Sequence, residues 1–234
     1  MIALLAALSP AVLLAANSVD LLWQGSGYVP PFYEGRSLWG RQSVITFTAI
    51  PHIFNSSGRE LPAGSLIYRW SKDGTILGNV SGVGVNTLSV PDSVLGIPAE
   101  IHVDIMTDED TVAASDGLAL SAIAPSVLVY ENNPLLGYLF NHESSQNIVM
   151  TSQEIALSAF PLFFSTATKN TSRINYSWTS AGATAQTGEN VVYRTADNAS
   201  GSISIHISAD APSILTQSAD KNFLVQLKNN DTAN

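Results

Sequence analysis

Cysteine is absent from the 234 residues, which excludes disulfides, thiolate metal sites and a cysteine nucleophile. Charge is scarce as well. Asp, Glu, Lys and Arg together make up 12% of the chain, and ten basic residues against nineteen acidic ones leave a formal net charge of -9. Without a basic field there is nothing to hold phosphates, so nucleic acid is not an expected partner. Long hydrophobic runs are missing beyond the first sixteen residues, MIALLAALSPAVLLAA. That run is short for a spanning helix, which needs about 20 residues, and its proline and abrupt polar switch at Asn17 read as the core of a signal peptide over residues 1–18. No Lys or Arg precedes Arg36, so either the true start lies upstream or the amino terminus alone supplies the charge. Windows of helical spacing are hard to find after the leader.

What is present is apolar and β-prone. Apolar residues reach 45%, and Ser, Thr and Asn fill much of the remainder, the composition of a β-rich exported protein rather than a disordered one. Two stretches return. ITFTAIPHIF (45–54) lies against IALSAFPLFF (155–164) at an offset of 110, with Pro51 and Pro161 in register. The tryptophans of IYRWSKDG and INYSWTSAG, Trp70 and Trp178, follow at an offset of 108. AEIHVDI (99–105) answers GSISIHI (201–207), SDGLALSA (115–122) more loosely answers ADKNFLVQL (219–227), and 21–36 resembles 127–142 in opening apolar and turning through proline. Order is kept throughout, which is the signature of an internal repeat.

Within these blocks the period is two. Ile45, Phe47 and Ala49 alternate with Thr46 and Thr48, and Ile203, Ile205 and Ile207 with Ser204 and His206. Such alternation describes strands with one wet face. The fold class expected is therefore all-β: two tandem immunoglobulin-like β-sandwiches after the leader. Repeat 1 spans 19–125, repeat 2 spans 126–228, and 229–234 is a polar tail. VPDSVLGIPAE (90–100) has room for one helical turn. Trp70 and Trp178 are placed on the third strand of each repeat, filling the gap between sheets with no disulfide to help.

At these residues the chain resembles the bacterial Ig-like and PKD-type repeats of exported proteins. The resemblance rests on Tyr68, Trp70, Asp73-Gly74, SGVGVNTLSV (81–90) and IHVDI (101–105), and on Tyr176, Trp178 and Gly182 in the second copy. The Asp-Phe-Gly-Asp-Gly of PKD repeats is replaced by SKDG and TSAG. The resemblance implies adhesion, spacing, glycan binding or assembly, and fold alone does not choose among them.

Candidate chemistry is thin. His52, His102 and His206 answer Leu162, Ser204 and Asp104 in the other copy. No His-x-His, His-Glu-x-x-His or histidine–carboxylate pairing is visible, so all are read as solvated strand positions, with His142 in a loop. DIMTDEDT (104–111) is read as a solvated turn before a calcium site. No Gly-x-Ser-x-Gly elbow is present, and SGVGVN lacks the Lys-Ser/Thr of a phosphate loop. Neither cofactor nor metal is expected. Tyr28, Phe32, Tyr33 and Trp39 crowd the Pro-rich lead-in of repeat 1, with Tyr138 and Phe140 in the similar place of repeat 2. They are the candidate ligand-binding residues, able to stack on sugars or anchor a protein, against the plainer reading of edge packing.

The function expected is a non-enzymatic, exported structural or adhesive module of a bacterial cell envelope or surface, extracellular or periplasmic. Its partners would be envelope or surface proteins and possibly glycans. The alternative is a glycan- or peptide-binding module using the aromatic lead-in, and a β-sandwich enzyme ranks last. The chain ends in KNNDTAN with no sorting signal and no apolar tail, so a membrane enters only through an uncleaved leader or an anchor outside the sequence.

Overall fold

The computed structural model describes residues 16–92, 96–108, 111–144, 147–150, 152–166, 169, 173–181, 184–196, 199–214 and 217–227. The expected leader lies almost wholly outside them, as do the polar tail, Glu109 and Asp110 of the acidic cluster, and part of the expected helical turn. No helix among the described residues is long and apolar enough to cross a membrane.

Alternating sequence becomes strand. The first half of the chain forms β1 (Ser18–Gly25), β2 (Val44–His52), β3 (Ile67–Lys72), β4 (Thr75–Ile76), β5 (Gly82–Val83), β6 (Thr87–Pro91), β7 (Ala99–Met106) and β8 (Val112–Leu120). The second half forms β9 (Ser126–Asn133), β10 (Gly137–Tyr138), β11 (Asn147–Met150), β12 (Glu154–Leu162) and β13 (Asn175–Ser180). It continues with β14 (Gln186–Thr187), β15 (Asn190–Arg194), β16 (Gly201–Asp210) and β17 (Ser218–Leu227).

The sheets repeat as the sequence does. One sheet of the first half runs β1-β2-β6 and its counterpart runs β10-β9-β12-β15; the others run β4-β3-β7-β8, with β5 also on β3, and β11-β17-β16-β13-β14. Strands β2 and β12 keep the offset of 110 end to end, and β3 and β13 keep 108. The lead-in strands β1 and β9 also stand 108 apart, two residues from the match of 21–36 with 127–142, because strand register rather than proline placement decides the equivalence. Strand β11 lies parallel to β17, Asn147 opposite Leu224.

The fold is a tandem of all-β sandwiches. In the second, β9, β12 and β15 of one sheet and β11, β13, β16 and β17 of the other send Val129, Leu157, Val191, Met150, Trp178, Ile207 and Phe223 into a single buried cluster. Two sheets sharing one core define a sandwich. In the first, alternate residues of both sheets are buried, among them Ala49, Tyr68, Trp70, Val103 and Ile105. By packing, the chain divides into two compact units: Met1–Leu22, Thr48–Leu88 and Glu100–Ala119 make one, and Trp23–Phe47, Ser89–Ala99 and Leu120–Asn234 the other. This division of contacts does not follow the boundary expected at 125/126, because Trp23–Phe47 and Ser89–Ala99 pack with the second half.

Both indoles are fully buried and tied alike. Trp70 Nε1 donates to the Val85 carbonyl at 2.9 Å, and Trp178 Nε1 to the Gly188 carbonyl at 2.8 Å. Two residues earlier on each strand, the Tyr68 hydroxyl donates to the Ala63 carbonyl at 3.0 Å and the Tyr176 hydroxyl to the Lys169 carbonyl at 2.7 Å. A buried indole or phenol needs a partner for its polar end, and here a loop carbonyl supplies it.

Candidate functional site

The aromatic lead-in lies in the connection between β1 and β2. Its backbone is fastened at several points: Gly25 N donates to Ser37 O at 2.7 Å, Ser26 N to Val44 O at 2.7 Å, and Arg41 N to Ile123 O at 2.9 Å. Buried Gln217 clasps it further, its Nε2 donating to the Arg41 carbonyl at 2.6 Å and its Oε1 accepting from Ser165 N at 2.7 Å. Glycine makes the approach possible. A Cβ on Gly40 would stand 2.1 Å from the Phe163 carbonyl oxygen, and one on Gly25 2.2 Å from that of Leu38. Phe163 itself holds φ +65, a left-handed backbone that a bulky residue rarely adopts.

Each candidate side chain is accounted for by this docking. Trp39 is buried at 4% exposure, and its Nε1 donates to the Ser43 carbonyl at 3.3 Å; it offers no ring face to a ligand. Phe32 is half-buried, with Phe140 at 4.6 Å, Tyr130 at 4.8 Å and Phe160 at 5.3 Å between ring centroids. Tyr33 meets Phe163 edge to face at 6.4 Å. Tyr28 is half-buried, and burial first, then Tyr138 and Glu189, raises its hydroxyl pKa. Tyr138 stacks on Phe140 at 5.4 Å. These offset and T-shaped contacts are how aromatic rings pack inside a protein.

One cation enters the cluster. Lys169 Nζ sits 3.9 Å from the Phe160 ring centroid and 5.4 Å from that of Tyr138, buried and without a hydrogen bond. Desolvation lowers its pKa, with Glu189 opposing. Burial raises the hydroxyls of Tyr130 and Tyr176 above the usual tyrosine value. Packing explains these shifts, and no acid–base pair is needed to do so.

The histidines differ from their sequence reading in one respect. His52 Nδ1 lies 3.0 Å from Glu60 Oε1, and His102 Nε2 lies 3.0 Å from Asp104 Oδ1, whose other oxygen accepts from Arg69 at 2.7 Å. Histidine–carboxylate pairs therefore exist; the alternation of β7 already placed His102 and Asp104 on one face. His206 pairs instead with Asn222 at 3.0 Å. Both histidine side chains paired with carboxylates are 44% exposed, as solvated strand positions require. Among the described residues no three His, Asp or Glu side chains are grouped as metal ligands would be.

No family model matches the chain, and no curated protein matches it. Solved structures with a similar chain path exist. The three N-terminal domains of the bacteriophage RB49 Highly Immunogenic Outer Capsid protein align over 91% of this chain and 59% of that one, at 15% identity and a TM-score of 0.41. Immunoglobulin domains 1–4 of Sidekick-1 align over 90% of this chain and 49% of that one, at 13% identity and 0.32. The mouse nectin-like molecule 4 ectodomain aligns over 92% and 66%, at 9% identity and 0.33. The chain spans between 49% and 66% of the length of these structures. The sandwich assignment rests on sheet order and shared core, not on these likenesses.

Two features escaped sequence reasoning. Lys169 gave no signal, because the rings it meets, Phe160 and Tyr138, lie on two different strands, β12 and β10. Tyr193 on β15 did: it stands two residues from buried Val191, on the inward phase of that strand.

Proposed function

We propose that the chain is a non-enzymatic, exported structural or adhesive module of a bacterial cell envelope or surface, built of two Ig-like repeats of 19–125 and 126–228 and joined to envelope or surface proteins. The observation that carries this reading is the fate of the lead-in aromatics. Trp39 is buried, Phe32 is ringed by Tyr130, Phe140 and Phe160, and Tyr33 abuts Phe163. Rings engaged in packing stabilise a scaffold and leave little free face for stacking on sugars.

The test has two arms. Residues 1–18 fused to a reporter that lacks its own leader should carry it out of the cytoplasm. Purified chain on beads should hold envelope or surface preparations without turning over their polymers, and a glycan array should be insensitive to Tyr33→Ala. Turnover abolished by a single carboxylate substitution would make the protein an enzyme. Specific glycan binding lost on Tyr33→Ala would make it a recognition module.

A further inference from the structure

The hairpin of β9 and β10 holds two leucines in the open. Leu135 is 93% and Leu136 75% exposed, the highest values for large apolar side chains among the described residues, and Pro134 and Tyr138 beside them are exposed as well. Apolar residues scattered singly over a surface need no explanation; a pair at the point of one turn does. The sandwich does not require them. At the 108-residue offset between β1 and β9, the equivalent positions of the first repeat hold Gly27 and Tyr28.

The turn is fixed before any partner arrives. Asn133 Oδ1 accepts from Leu135 N at 3.0 Å and from Leu136 N at 3.2 Å, Gly137 closes the turn at φ +75, and Gly137 and Tyr138 pair with Asn133 and Asn132. Below it, Tyr138 stacks on Phe140 and meets Phe160 edge to face at 5.3 Å. Pro134 has no N–H and both leucine N–H groups are taken, so these three residues carry no free donor into an apolar phase, where an unsatisfied one is expensive. Charge is missing too. Residues 132–141, NNPLLGYLFN, contain no Asp, Glu, Lys or Arg, and the carboxylate just before them, Glu131, already accepts from Asn133 Nδ2 at 3.2 Å. A stable protein interface takes about 20 to 30 residues a side, far more than Pro134, Leu135, Leu136 and Tyr138 supply. Lipid sets no such requirement. With no basic residue on the hairpin and a net charge of -9, the surface that fits is zwitterionic rather than anionic.

We propose that this hairpin tip docks on a zwitterionic lipid surface, with Leu135 and Leu136 entering the acyl boundary and Tyr138 lying among the headgroups. Insertion is shallow, since the chain from Tyr138 to Leu135 reaches at most about 10 Å. The inference goes beyond the envelope reading and does not depend on it. The test is flotation of the full chain with phosphatidylcholine vesicles over a range of lipid concentrations. Binding should saturate. Leu135→Ala and Leu136→Ala touch no packed residue and should each weaken it about fivefold to tenfold, and the double variant should abolish it. Val83→Ala, which trims an apolar side chain 64% exposed on β5, should bind as the parent chain does. Replacing part of the phosphatidylcholine by phosphatidylserine should not tighten binding. The proposal is overturned if the parent chain does not float with phosphatidylcholine vesicles, if the double variant floats equally well, or if binding needs phosphatidylserine and vanishes in salt. Self-association lost in the double variant, without vesicle binding by the parent, would also overturn it and give the tip to a second copy of the chain.

Discussion

Replacing Trp70 or Trp178 by alanine tests the architecture at its centre. Both side chains are fully buried, and an indole covers roughly 150 to 250 Å². At about 25 cal/mol per Å² the transfer term alone is roughly 4 to 6 kcal/mol, an upper bound because unfolded chains already hide some apolar surface. Large-to-small substitutions of this kind cost about 3 to 5 kcal/mol. A second contribution comes from the carbonyls of Val85 and Gly188, which lose the indole donor; each left unsatisfied costs on the order of 1 kcal/mol or more. Phenylalanine separates the two effects, since it restores most of the buried area but not the donor. Trp→Phe should therefore lose about 1 to 3 kcal/mol and Trp→Ala at least twice that.

Because the surroundings are equivalent, the two positions should respond alike. Urea unfolding followed by circular dichroism gives the total loss. Amide exchange on β3 and β7, and separately on β13 and β16, shows which sandwich has opened. A loss below about 1 kcal/mol for either alanine variant, or equal losses for alanine and phenylalanine, would refute the claim that these indoles fill the sandwiches and hold a loop carbonyl.

Three further outcomes are expected. Gly40→Ala forces a Cβ to 2.1 Å from the Phe163 carbonyl oxygen and should lose about 1 to 3 kcal/mol in thermal unfolding; Gly64→Ala, with no atom within 4 Å of the added methyl, should be neutral. The Tyr176 hydroxyl has its pKa raised above 10.0 by burial, so in alkali the unfolded chain loses that proton first. Stability should then fall as pH rises past 10, and Tyr176→Phe should blunt the fall in urea titrations. Lys169 has the opposite sign: its pKa is lowered from 10.5 by burial, the native state gives up the proton first, and stability should rise with pH toward that value. Lys169→Met should flatten the rise, and an unchanged profile would place the amine in water.

The strands were legible because half-buried sheet imposes a period of two on the sequence. Ile45, Phe47 and Ala49 on β2, and Ile205 and Ile207 on β16, are buried as their alternation requires. The repeat was legible because β2 and β12, which lie centrally in their sheets, tolerate no insertion. The lead-in was not. Residues 26–43 have no period, and where Phe32 and Tyr33 point depends on Tyr130 and Phe163, which lie in the second half of the chain. Gly25 and Gly40 serve close approach of backbone to backbone, which only tertiary contact reveals. The carboxylate partner of His102 could be read from the strand phase; Arg69, its cross-strand neighbour, needed the pairing of β3 with β7.

The missing cysteines acquire a structural counterpart in these sandwiches. Tyr68 and Trp70 lie on one face of β3, and each reaches a loop carbonyl, 5 residues back and 15 residues on. Tyr176 and Trp178 do the same on β13, across 7 and 10 residues. Each strand thus draws the loop before it and the hairpin after it onto the core through a ring that is itself core. A disulfide would act partly by restricting the unfolded chain, whereas these links exist only once the sheets have closed. The stabilisation they provide therefore depends on packing being complete, so loosening either indole should release the loops at Ala63 and Lys169 together with the sheets. That dependence is why a Tyr-x-Trp pair, rather than either residue alone, marks the centre of both repeats.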